Sequence, residues 1–125
     1  MRPSASAAAL LGMLACAQVA PGPPSQERPG EDERATARAE EQRAEELEQS
    51  LSALSAGERP PDCSRMCELI GEICELSGRI CAISARHRDD AELAGRCAAS
   101  QQRCLRSRDR IPPGCSCGAR AGSGR

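Results

Sequence analysis

The chain has 125 residues and a formal net charge of −1, its 17 basic residues (all Arg) nearly balancing 18 acids. It contains nine Cys but no Phe, Tyr or Trp. The length admits one small domain, and the missing aromatics exclude a bulky core and a base-stacking surface. A domain so poor in apolar volume needs staples, which cysteines can supply.

Residues 1–15 open with one positive charge, Arg2, followed by small apolar residues from 7 to 15. This is a signal-peptide layout, too short to span a bilayer. The run Met13-Leu14-Ala15-Cys16 resembles the lipobox of bacterial lipoproteins, in which a small residue precedes the acylated cysteine. That resemblance implies cleavage before Cys16 and a lipid on its sulfur and amino group. Attachment by several acyl chains would be firm, since two signals already suffice. Ordinary secretion, with Ala15-Cys16-Ala17 as the cleavage site, is the alternative. Parity favours the lipid, because setting Cys16 aside leaves an even eight cysteines for pairing. With Ala17 rather than Asp after the cysteine, the expected location is the cell envelope, at the outer membrane facing the periplasm rather than the inner membrane.

Residues 16–30 are rich in Pro and Gly and read as an extended tether. Residues 31–57 form an acidic helix rich in Glu, Arg, Ala and Gln. Glu31, Asp32 and Glu33 at its start suit the positive end of the helix dipole. Ala37, Ala44, Leu47, Leu51 and Leu54 recur at three-four spacing, which makes the first half a poor core helix and lets the second half dock. Gly57 to Pro61 stop it.

The Cys-rich unit spans residues 62–117. Asp62 is the expected N-cap of a helix over 63–86. A turn at His87-Arg88-Asp89-Asp90 leads to a second helix over 90–110, with Asp89 and Glu92 spaced like a capping box. Pro112-Pro113-Gly114 ends it, Cys115-Ser116-Cys117 starts a return segment, and residues 118–125 read as a disordered polar tail.

The cysteines are arranged as mirror images. Cys81 with Cys97, Cys74 with Cys104, and Cys63 with Cys115 all share a midpoint at Asp89, which is the arithmetic of an antiparallel helical hairpin. On a helix, Cys63, Cys67, Cys74 and Cys81 fall within about 40° of one another. Facing cysteines predict the disulfides Cys81–Cys97 and Cys74–Cys104, with Gly71, Ser77, Gly78, Ser84, Ala94, Ala98 and Ser100 as small neighbours that permit the close approach. Nesting of the remaining four gives Cys67–Cys115 and Cys63–Cys117, the swapped pairing being nearly as good.

Beside the cysteines runs an apolar stripe of Met66, Leu69, Ile73, Leu76, Ile80 and Ile83, wider than the second helix can cover with Leu93 and Leu105. Either Leu47, Leu51 and Leu54 lie on it, completing a three-helix bundle, or it stays open as a groove for a partner or a second copy. The expected fold is all-α: a disulfide-stapled hairpin, or a three-helix bundle with the acidic helix.

Other chemistries compete less well. Heptad thiols could hold Cu(I), and the pattern is broadly similar to cysteine-rich copper-storage bundles, but those carry more cysteines at tighter spacing. Zinc lacks a C-x-x-C and a second His. Cys115-Ser116-Cys117 could be a redox pair, but no helix N-terminus or base is placed to activate it. His87 reads as a solvated turn residue with no nucleophile beside it. Arg96, Arg103, Arg106, Arg108 and Arg110 make the second hairpin helix basic. Without aromatics nucleic acid is a poor partner, and Glu40, Glu41, Glu45, Glu46 and Glu48 are cheaper ones. No catalytic site and no cofactor are expected.

Lys and Asn are absent while Ala, Arg and Gly abound, as in a GC-rich bacterial genome. The C-x3-C-x6-C-x6-C helix from Cys63 to Cys81, the Ala85-Arg86-His87 turn and the Arg96-Cys97-x6-Cys104 helix resemble uncharacterised Cys-rich lipoproteins of myxobacteria-type genomes. The resemblance covers under half of the chain. It implies an envelope location and transfers no activity. The functional expectation is therefore a lipid-anchored, non-catalytic envelope protein, attached to the membrane through its anchor and meeting an envelope protein partner.

Overall fold

A computed structural model describes residues 30–57 and 59–118. The signal peptide, Cys16, most of the tether and the tail beyond Gly118 lie outside the described residues. Three helices follow in order: α1 Glu31–Ser55, α2 Cys63–Arg86 and α3 Ala91–Arg108. The described residues contain no strand.

α2 and α3 start where a side chain satisfies one of the free N–H groups of the first turn. Asp62 caps α2, its carboxylate accepting from the Arg65 N–H at 3.0 Å. Asp90, not Asp89, caps α3, accepting from the Leu93 N–H at 3.1 Å. Adjacent aspartates offer both registers, and the turn selects the second: the Asp90 N–H donates to the His87 carbonyl at 3.0 Å, which brings the next residue into the helix. The first turn of α1 has no side-chain cap. Gly30 precedes it at φ +101°, a left-handed conformation suited to glycine, and the acids Glu31, Asp32 and Glu33 face the dipole.

α2 is the central element, packing closely on both α1 and α3, whereas α1 and α3 approach each other less. At about 1.5 Å per residue its 24 residues run roughly 36 Å. The chain goes up, down and up again, because the start of α1 meets the end of α2 and the start of α3 (Glu33 with Arg86, Arg34 with Asp90).

One face of α2 makes the core. Met66, Leu69, Ile70, Ile73, Leu76, Ile80 and Ile83 are all buried, as are Leu47 and Leu51 of α1. A main cluster joins Ala44, Leu47 and Leu51 to the lower part of α2, with Leu54 and Ile111 packed against it. A second cluster joins Ala37 to Ile83 and Leu93 near the turn. The stripe is therefore covered by α1 rather than left as an open groove. The first half of α1 also does more than expected. Ala37 is fully buried, in a cluster with Ile83 of α2 and Leu93 of α3.

Candidate functional site

Two seams hold the chemistry-bearing side chains. The first lies between α2 and α3, where Cys81–Cys97 and Cys74–Cys104 form disulfides with Cα atoms 4.6 and 4.7 Å apart. Midway between them Ser77 and Ser100, both buried, meet Oγ to Oγ at 3.2 Å. Ser100 donates to the Cys97 carbonyl at 2.8 Å, which leaves Ser77 to donate to Ser100 and satisfies both hydroxyls. Cystine, serine pair and cystine are thus successive rungs of one ladder.

At the base of the ladder two nested pairings are corrected. The disulfides are Cys63–Cys115 and Cys67–Cys117, with Cα separations of 5.3 and 5.5 Å, not Cys67–Cys115 and Cys63–Cys117. Nesting assumes that the chain keeps running antiparallel to α2. Instead it reverses after α3, in a turn closed by the Cys115 N–H donating to the Pro112 carbonyl at 2.9 Å, and climbs beside α2 in the same direction. Four residues of helix rise about 6 Å and two residues of extended chain about 6.6 Å, so Cys63 and Cys67 match Cys115 and Cys117 in order.

Several expected spacers do other work. A Cβ added to Gly71 or Gly78 would meet nothing within 4 Å, so neither glycine permits the close approach. Ala94 and Ala98 are exposed rather than turned into the seam. Ser77 and Ser100 fill the interface between the two helices.

The second seam joins α1 to the other helices through charge. Arg34 donates from Nε to Asp90 at 2.7 Å, Arg96 pairs with Glu41, and Arg103 donates from Nε to Glu48 at 3.0 Å while its Nη2 reaches Glu45 at 3.4 Å. Arg110 donates to the Ser52 hydroxyl at 2.8 Å. These partners are 55 to 58 residues apart in sequence, the constant offset of two parallel helices. Of the acids expected to meet the basic helix, Glu41, Glu45 and Glu48 do so. Glu40 turns to Arg79 of α2 at 3.6 Å, and Glu46 pairs within its own helix with Arg43 at 3.2 Å.

Arg34 and Asp90 are the pair whose ionisation is displaced. The Arg34 guanidinium hydrogen-bonded to it, aided by the Leu93 N–H, holds the Asp90 carboxyl below the usual carboxylate value. The same bond raises Arg34 above its ordinary value.

His87 is half-buried, which corrects the expectation of a solvated turn residue. Its Nε2 hydrogen-bonds to Glu33, whose other carboxylate oxygen accepts from Arg86 Nε at 2.9 Å and Nη2 at 2.6 Å. The ring also lies against Gly30, where a Cβ would sit 3.3 Å from Cε1. Position 30 is therefore tied to glycine twice, by its backbone angle and by the imidazole. The only sequence signal for this clasp was an acid in the first turn of α1 and a His at the hairpin tip.

Among the described residues no three His, Cys, Asp or Glu side chains are grouped to hold a metal ion. No helix there is long and apolar enough to cross a membrane. No family model, curated protein or solved structure matches the chain.

Proposed function

We propose that the chain is a lipid-anchored, disulfide-rich, non-catalytic protein of the cell envelope, with a structural or partner-binding role. The observation that carries the reading is the condition of its sulfur. All eight cysteines after Cys16 are joined in four disulfides, Cys74–Cys104 between buried cysteines and the other three between half-buried ones. Such dense pairing suits an oxidising compartment outside the cytosol. It also removes the thiolates that a Cu(I) store or a thiol redox enzyme would need. Cys16 is left over, at the end of a leader that resembles a lipobox, and sulfur there is free to take a lipid.

The remaining side chains support the same reading. Arg96 and Arg103 of α3 are paired with acids of α1, and His87 is engaged by Glu33 in a clasp that holds the helices together. Residues 17–29 would then space this bundle from the bilayer, the outer membrane being the favoured one. The resemblance of residues 63–117 to Cys-rich lipoproteins of GC-rich bacteria belongs to this proposal as well.

Membrane fractionation of the full chain and of Cys16→Ser tests the anchor. The wild-type protein is expected in the membrane fraction and the variant in the soluble fraction. A variant that stays on the membrane would refute lipidation.

A further inference from the structure

The eight paired cysteines fall into two mechanical classes. Cys74–Cys104 and Cys81–Cys97 each join helix to helix. Cys63–Cys115 and Cys67–Cys117 instead join α2 to residues 112–118, which form neither helix nor strand. Ile111, just before that segment, packs on the main core cluster. We propose that residues 112–118 are a dithiol-releasable strap, cast off by reduction of the two base disulfides while the seam disulfides hold the hairpin.

Accessibility is the first reason. Cys74 and Cys104 are buried, at 6% and 8% exposure, so a dithiol has little approach to their sulfurs. Cys63, Cys67, Cys115 and Cys117 are all half-exposed, on the first turns of α2 and on irregular chain.

Effective concentration is the second reason, and it separates the strap from the half-exposed Cys81–Cys97. If Cys81–Cys97 is opened, α2 and α3 stay packed and keep the two sulfurs facing. The attacking thiol is then expelled and the bond re-forms. The loop between them spans 16 residues, and the buried Cys74–Cys104 bond still holds the helices two turns away. The strap has no helix to hold it in place. Once both of its bonds are open its sulfurs diffuse away from α2, and closure must recruit a segment that no helix places.

The chemistry balances with two dithiol molecules. Each gives two electrons and two protons to one disulfide, passes through a mixed disulfide, and leaves as its own oxidised form. The products are four cysteine thiols, at positions 63, 67, 115 and 117.

The test is stepwise reduction of the full chain with increasing dithiothreitol, acid quenching, alkylation, and peptide mapping by mass spectrometry, with far-UV circular dichroism on each sample. The first species to accumulate is expected to carry four alkyl groups, on Cys63, Cys67, Cys115 and Cys117, and to keep the full helical signal. Alkylation of Cys74, Cys81, Cys97 or Cys104 in that first species would overturn the proposal, and so would loss of helix in the same step. A variant with Cys63, Cys67, Cys115 and Cys117 all changed to Ser gives a check that does not depend on reductant. It is expected to fold as a helical protein with two disulfides, and an unfolded product would count against a separable strap.

Discussion

The two interfaces of α2 solve the same shortage of apolar volume by different means. Towards α3 the side chains are small, and covalent bonds with a buried serine pair replace the missing bulk. Towards α1 the side chains are branched, and burial of Leu47, Leu51 and the α2 stripe is flanked by arginine–carboxylate pairs that run from α1 to α3. The α2–α3 seam should therefore weaken when its cysteines are replaced and ignore salt, whereas the α1 interface should answer to salt, acid and cavities. Without aromatics, neither interface alone has the usual means to hold a bundle this small.

The largest expected effect comes from cutting the covalent seam. The double change Cys74→Ser and Cys104→Ser is expected to lower stability by about 2–5 kcal/mol in urea unfolding, because it frees the unfolded chain and buries hydroxyls in place of a cystine. A loss under about 1 kcal/mol would mean that packing, not sulfur, holds α3.

Leu51 offers the matching cut on the other side. It is fully buried in the main cluster, so Leu51→Ala is expected to cost about 2–5 kcal/mol, while Leu54→Ala at the partly buried rim costs far less. Equal effects of the two changes would contradict the placement of α1.

Charge follows at smaller scale. The Arg103 side chain is only 12% exposed and reaches two acids of α1, and Arg103→Gln is expected to cost about 1–2 kcal/mol. Raising the salt should shrink that difference. It should leave the penalty of the Cys74/Cys104 change untouched.

Gly78→Ala tests the seam from the opposite direction. The position is exposed, lies inside α2 and has open space for a methyl, so the change is expected to stabilise the protein by about 0.5–1 kcal/mol. Destabilisation would restore the idea that this glycine permits close approach.

The smallest effect is a pH dependence at the tip. The Asp90 carboxyl is held below its ordinary value in the folded protein, so its contribution is present above about pH 3.9, the unfolded value. It is lost as pH falls through the lower folded value. Asp90→Asn keeps an N-cap but removes the charge, so thermal unfolding of the variant should depend less on pH below about 4 than that of the wild type.

Much of this was legible in the residues. The shared midpoint at Asp89 located the hairpin, Asp62 marked the start of α2, and coverage of the excess stripe by Leu47, Leu51 and Leu54 was one of the two readings it offered. What escaped depends on geometry outside periodic elements. Reversal of the chain at Pro112-Pro113-Gly114 decides whether Cys115 meets Cys63 or Cys67, and no helical period reaches past that turn. Ala37 escaped because a methyl carries little hydrophobic signal, although it is buried in a cluster with Ile83 and Leu93. His87 escaped because its partner, Glu33, lies 54 residues away on another helix.

The central claim is that the cysteines are scaffold. Titration of free thiols in the unreduced protein, followed by disulfide mapping of its peptides, tests that claim most directly. The account predicts no free thiol among the eight and the pairs Cys63–Cys115, Cys67–Cys117, Cys74–Cys104 and Cys81–Cys97. Four or more free thiols with copper bound, or a pairing that breaks the ladder between α2 and α3, would contradict it.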